Sequence, residues 1–244
     1  MRGGFALVAL TLMLLKTWLW LVVVRPHSGL GLSALYFAAT VFMFWSYKGA
    51  VCSRPLSKRP SDSLPDDVNF VTRYCERCDS EKGPSVHHCS VCNNCVYRMD
   101  HHCPWTNNCV AWSNKKYFLL FLVYTSVSSL TFNVMATPLT FDEDFHRYRS
   151  LLKCSWVLTL GIGLLLAGYF VFHLWLLQEG KTTLEFLAGR DGELAGCSFL
   201  HNVAVYFGRD RKTWWLPVAP KLDPAMGGRR QVEDDQDSLK LLVE

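Results

Sequence analysis

Four long apolar runs separated by polar stretches outline this chain. The first covers 5–24 and carries one charge, Lys16. The second covers 30–47 and closes on Phe42, Phe44, Trp45 and Tyr47, rings suited to a membrane interface. The third and fourth cover 117–139 and 155–177. Helical residues rise about 1.5 Å each, so a run of this length spans about 30 Å, the thickness of the bilayer hydrocarbon. The pattern predicts an integral membrane all-α protein of four transmembrane helices, two within residues 1–47 and two within 113–177.

The connections differ in kind. Residues 25–29 make a short turn, and 48–69 a linker with Pro55, Pro60 and Pro65. Residues 70–112 are rich in cysteine, and 142–153 form a hydrophilic loop. Segment 48–116 holds ten Lys and Arg, the chain after Leu177 nine, and the two opposite loops together four. That asymmetry predicts a cytosolic cysteine-rich domain with both termini on the same side. Lys16 is costly within a bilayer and is expected to snorkel or face another helix. His173, near the end of the fourth run, reads as a satisfied interfacial histidine rather than a ligand.

Composition adds an exclusion. Half the residues are hydrophobic and the formal charge is +4. A formal charge this small on a chain of this length is no nucleic-acid signature. No nucleic-acid partner is expected.

The chemistry is concentrated between Cys75 and Cys109, which hold seven of the ten cysteines and four of the eight histidines. Cys75, Cys78, His88 and Cys95 follow C-x2-C-x9-H-x6-C, and a shift of 14 residues gives Cys89, Cys92, His102 and Cys109 with the same spacing. Each set offers three thiolates and an imidazole, enough to close a tetrahedral Zn²⁺ site. Such filled shells leave no open position, so both metals read as structural, in keeping with a reducing compartment.

Cys103 falls where a third unit of the repeat would begin, but its partner position is Thr106. Either it completes a four-cysteine site, or it is a free thiol beside His101 and Asp100. In the second reading Asp100 orients His101, and His101 takes the thiol proton from the nucleophile Cys103. A site of three thiolates and one zinc is anionic and would raise a neighbouring thiol, so activation must come from His101.

Asp100-His101-His102-Cys103, the cysteine pattern before it, Pro104-Trp105 and Asn107-Asn108-Cys109 closely resemble the DHHC protein S-acyltransferases (palmitoyltransferases). The resemblance implies a co-substrate, acyl-CoA such as palmitoyl-CoA, and a Cys103 thioester that passes its acyl group to cysteines of membrane-associated proteins. Lys16 then has a lesser possible role in an acyl pocket. Lys115, Lys116 and Lys181 are candidates for the CoA phosphates.

Residues 178–220 are expected to form a cytosolic C-terminal element. Thr182 and Glu185 have the spacing of a capping box. Lys181 is followed by Thr182-Thr183-Leu184-Glu185, which matches the T-T-x-E motif of that family and implies structural support from Thr182, Thr183 and Glu185. Asn202 matches the Asn of its C-terminal element. Residues 221–244 read as a disordered tail. The chain departs from the family at Ser85, where Arg is usual, and at Ala111, where Gly is common. The short spans lean toward an endoplasmic reticulum or Golgi membrane. The competing function is a non-catalytic membrane-anchored zinc scaffold or chaperone. Cys52 reads as an ordinary thiol, and acyl label that persisted without Cys103 would point to Cys52, Cys154 or Cys197 as passive acceptors.

Overall fold

The computed structural model describes residues 3–57, 73–83, 85–146, 148–223 and 226. Most of the expected linker 48–69, and the expected tail from residue 227 on, lie outside the described residues.

Among the described residues, four helices are long and apolar enough to cross a membrane. Helix α1 (Gly4–Leu19) continues through a π turn, Trp20–Val24, into a 3-10 turn at Arg25–His27. Helix α2 (Leu30–Cys52) runs five residues beyond its apolar run, because Lys48 to Cys52 continue the helix to the cysteine-rich domain. Helix α3 (Lys115–Phe141) packs between α2 and α4 (Arg149–Gln178). Its buried face carries small and polar residues, Thr125, Ser126, Ser128, Ser129 and Asn133. Lipid offers no hydrophobic drive between helices, so small side chains and hydrogen bonds do the joining. Asn133 Nδ2 donates to Thr159 Oγ1 of α4 at 2.9 Å. At Gly49 of α2, an added Cβ would fall 2.4 Å from the Tyr117 ring of α3, so only glycine permits that approach.

Lys16 faces another helix. Its ammonium donates to Ser128 Oγ at 2.6 Å and Ser129 Oγ at 3.2 Å on α3. A cleft between α1, α3 and α4 adjoins it, lined by Met13, Thr125, Ser129 and Thr159 among others.

Between α2 and α3 the chain folds into three antiparallel hairpins. They are β1 (Arg73–Cys75) with β2 (Ser80–Lys82), β3 (Val86–Cys89) with β4 (Asn94–Tyr97), and β5 (His101–Cys103) with β6 (Asn108–Val110). The all-α expectation therefore holds for the membrane helices, while the cysteine-rich domain is built from short strands. After α4 come α5 (Thr183–Leu187) and α6 (Phe199–Phe207). Both fold back onto the base of the bundle. Asn202 Nδ2 of α6 donates to Leu177 O at 2.8 Å, and Trp112 Nε1 donates to Val205 O at 2.9 Å. The turn out of α4 uses Gly180 at φ +66, with the Leu194 backbone where a side chain would be.

Candidate active site and metal centres

The three hairpins share one turn. Asp79, Asn93 and Asn107 follow Cys78, Cys92 and Thr106 at intervals of 14 residues, and all adopt the left-handed conformation, with φ of 49, 52 and 47. Asn and Asp tolerate that region better than other side chains. Each turn brings two positions three apart toward a common point. In the first two hairpins both positions are cysteines. In the third they are Cys103 and Thr106, and Thr106 Oγ1 donates instead to Cys103 O at 3.3 Å. The third hairpin thus has the shape of a metal-binding turn with one ligand position replaced.

The structure brings together both predicted ligand sets, Cys75, Cys78, His88 and Cys95, and Cys89, Cys92, His102 and Cys109. His88 Nδ1 lies 3.5, 3.2 and 4.0 Å from the sulfurs of Cys75, Cys78 and Cys95. His102 Nδ1 lies 3.6, 3.4 and 3.7 Å from those of Cys89, Cys92 and Cys109. Tetrahedral zinc with bonds of about 2.3 Å to sulfur and about 2.0 Å to nitrogen sets its ligands about 3.5 Å apart. The two clusters can therefore bind zinc with little adjustment. The two ligand sets interleave: β3 supplies His88 to the first and Cys89 to the second, so a metal in each would fix the hairpin of the other.

Cys103 belongs to neither cluster. It is buried, at the end of β5. His101 Nδ1 donates to Asp100 Oδ2 at 2.8 Å, which leaves Nε2 for the hydrogen bond with the Cys103 thiol. Asp100, His101 and Cys103 form one line of carboxylate, imidazole and thiol.

Asp100 is held on every side. Lys115 Nζ donates to Oδ1 at 2.7 Å, the Thr183 backbone N–H to Oδ1 at 3.2 Å, and Thr183 Oγ1 to Oδ2 at 2.6 Å. The expected capping box is present: Thr182 Oγ1 accepts from the Glu185 N–H, and the Glu185 carboxylate accepts from the Thr182 N–H at 2.7 Å. The box fixes the start of α5 and so aims Thr183 at Asp100. Burial alone would raise the Asp100 carboxyl, but the Lys115 charge and the His101 hydrogen bond hold it well below the usual carboxylate range. Burial pushes the His101 imidazole down, yet its bonds to Asp100 and Cys103 raise it to about 9. Burial pushes the Cys103 thiol up, while hydrogen bonds from His101 and Thr106 outweigh it and bring the thiol down. Both shifts bias the pair toward a thiolate beside an imidazolium.

Two expectations need correction. Lys115 and Lys116 are buried and committed, Lys115 to Asp100 and Lys116 to the Thr213 carbonyl at 2.8 Å. Neither is available to CoA phosphates. Lys181 stays partly exposed, 3.7 Å from Asp191. His173 is no interfacial histidine with satisfied nitrogens. It is fully buried against the site, its ring centroid 6.0 Å from that of His101. Its sequence signal was only that a helix places residue 173 one turn before Leu177.

Two asparagines hold the β5–β6 hairpin to the membrane helices. Asn108 Nδ2 donates to Ala50 O at 2.9 Å and Ser53 O at 2.7 Å at the end of α2. Asn114 Nδ2 reaches Ser53 Oγ at 2.9 Å, and its Oδ1 accepts from the Ala111 N–H at 2.8 Å. The Ser85 departure is absorbed locally, since Ser85 Oγ donates to Glu193 Oε2 at 2.7 Å and Arg98 lies 3.5 Å from the same oxygen.

The family model described as DHHC palmitoyltransferase matches residues 69–190, which include the hairpins, α3, α4 and α5. The chain belongs to the DHHC palmitoyltransferase family. Palmitoyltransferase ZDHHC15A of Danio rerio is 31% identical over 215 residues, 82% of this chain and 65% of that protein. Palmitoyltransferase ZDHHC20-B of Danio rerio is 37% identical over 159 residues, 60% of this chain and 49% of its own length. Palmitoyltransferase ZDHHC2 of Homo sapiens is 36% identical over 181 residues, 68% of this chain and 49% of the relative. The chain spans about half to two thirds of the length of these DHHC relatives.

Proposed function

We propose that this chain is a protein S-acyltransferase that moves a long-chain acyl group, such as palmitoyl, from acyl-CoA to cysteines of membrane-associated proteins. The observation that carries the reading is the Asp100–His101–Cys103 line, whose thiol lies outside both metal clusters. In the first step the Cys103 thiolate attacks the thioester carbonyl. The carbon–sulfur bond to CoA breaks, and the CoA sulfur leaves with the proton that His101 holds. In the second step an acceptor thiol gives its proton to His101 and attacks the Cys103 thioester. Cys103 leaves as thiolate, and the ion pair is restored. Bound zinc would supply the cross-links that keep β5 rigid. Asp100, fixed by Lys115 and Thr183, keeps His101 in one tautomer, while Thr182, Glu185 and Asn202 hold the surrounding elements. The hairpins adjoin the ends of α2 and α3, so the acyl tail can enter the bundle, where each buried CH₂ contributes about 0.8 kcal/mol. Lys181 remains the candidate for a CoA phosphate. The basic flanks support a cytosolic hairpin domain and cytosolic termini, and span length favours an endoplasmic reticulum or Golgi membrane.

The test is thioester labelling. Purified protein is incubated with a clickable palmitoyl-CoA analogue and then with neutral hydroxylamine, alongside Cys103→Ser. Hydroxylamine-labile label that disappears in the variant, with zinc kept in both, is expected. Unlabelled wild type with full zinc would sink the reading in favour of a scaffold. Label that persists in the variant would move attention to Cys52, Cys154 or Cys197.

A further inference from the structure

His173 is a buried titratable group that the acyl-transfer steps above leave unused. It is 0% exposed, and among the described residues neither ring nitrogen has a hydrogen-bond partner. A buried polar atom without a partner is unfavourable, and a phenylalanine would fill the same space without that cost. Phe118 and Phe172 already line the neighbourhood, with centroids 5.3 and 5.7 Å from the His173 ring. Burial alone therefore gives no reason for an imidazole here.

The reason lies in what it faces. One His173 nitrogen, one His101 nitrogen and one Asp100 oxygen lie within 4.8 Å of one another. The rings of His101 and His173 are inclined by 31°. Phe118 meets His101 edge-on at 5.1 Å and Tyr169 at 6.4 Å, so three rings from α3 and α4 enclose the imidazole on which proton transfer depends. Lys115 already provides the cation for Asp100. What His173 adds is a polar edge directed at the Asp100–His101 pair.

We propose that His173 is a positioning residue for His101. Its ring keeps the His101 imidazole on the line from Asp100 to Cys103, and its polar edge faces the Asp100–His101 pair. The assignment rests on the acyltransferase reading for its purpose, but not for its test. A polar ring edge oriented in a site closed to water acts on a charge more strongly than solvent would.

The test uses the full chain with Cys52, Cys154 and Cys197 replaced by Ser, so that Cys103 is the thiol left outside the zinc clusters. His173→Phe, His173→Gln and His173→Leu are compared with that background. Two rates are read: alkylation of Cys103 by iodoacetamide, and thioester formation with the palmitoyl-CoA analogue. His173→Phe is expected to lower both rates about tenfold or more, a part of the roughly 10²–10⁴ that a positioned base contributes. Half-saturation by the acyl donor should stay within about twofold, because the residue acts on the reacting thiol and not on donor binding. His173→Gln should recover most of the loss, since it restores a polar group. Should His173→Phe lose zinc, the Gln and Leu variants, both less bulky, make the same comparison. Equal alkylation of wild type and His173→Phe overturns the proposal, as does a Gln variant as slow as Leu. Wild type that alkylates readily yet accepts no acyl group would sink the acyltransferase reading and leave the assignment of His173 standing.

Discussion

Lys115 Nζ and Asp100 Oδ1 lie 2.7 Å apart, and both side chains are closed to solvent. The pair couples the first residue of α3 to the residue just before β5. Removing one partner leaves a charge buried alone, which costs about 3–5 kcal/mol. Lys115→Met should therefore lower the thermal midpoint sharply and abolish labelling. Lys115→Met combined with Asp100→Asn removes both charges and should regain much of the stability. It should stay inactive, because His101 has lost its carboxylate. Thermal unfolding in detergent together with thioester labelling separates these outcomes. A double variant no more stable than Lys115→Met would contradict the pairing.

Thr183 and Thr182 stand side by side and do different work. Thr183 Oγ1 donates to the Asp100 carboxylate, and a hydrogen bond to a charged group contributes about 1.5–3 kcal/mol. Thr182 caps α5, which contributes about 1 kcal/mol. Thr183→Val should cut the labelling rate at saturating donor, whereas Thr182→Ala should act mainly on stability. Rates and melting curves of the two variants test this contrast.

Metal content should follow the two clusters. Elemental analysis is expected to find two zinc ions per chain, and Cys78→Ser or Cys92→Ser should each remove about one. Loss of the second zinc should stop labelling outright, since its ligand His102 lies between His101 and Cys103. A Cys92→Ser protein that keeps two zincs would contradict the partition of ligands.

The pH dependence follows from the thiol. The Cys103 value is lowered in the folded protein, so the thiolate persists to lower pH than in an unperturbed cysteine and is lost as pH falls through that lowered value. Alkylation of Cys103 should therefore decline on the acid side, with its midpoint below that of an unperturbed cysteine thiol. His101→Ala removes the bond and the charge that lower the thiol, so the midpoint should move up. A His101→Ala profile superimposed on wild type would show that the imidazole does not activate the thiol.

Much of the site is legible in the chain because its chemistry is local. The three-residue gap of Cys75 and Cys78 and the 14-residue repeat fix which side chains can share a metal, since a tight turn leaves little freedom. The register then isolates Cys103 beside His101 and Asp100. The membrane helices were legible from apolar length, with ends misplaced by up to six residues where polar positions continued the helix, as at Lys48–Cys52 and Arg149–Lys153. The roles of Lys115 and Lys116 were not legible. A lysine at the start of a membrane helix looks the same whether it meets solvent or a buried carboxylate, and only the return of β5 against α3 distinguishes the two.

By itself the sequence determined the two candidate ligand sets, the thiol that falls outside them beside His101, and the number of apolar helices, because each depends on spacing along one stretch of chain. The tertiary structure decided what surrounds Asp100. Lys115 reaches it from α3, Thr183 from α5, 83 positions away, and His173 lies against the pair from α4. Charge burial is a property of packing between distant segments, and no periodicity within one segment records it.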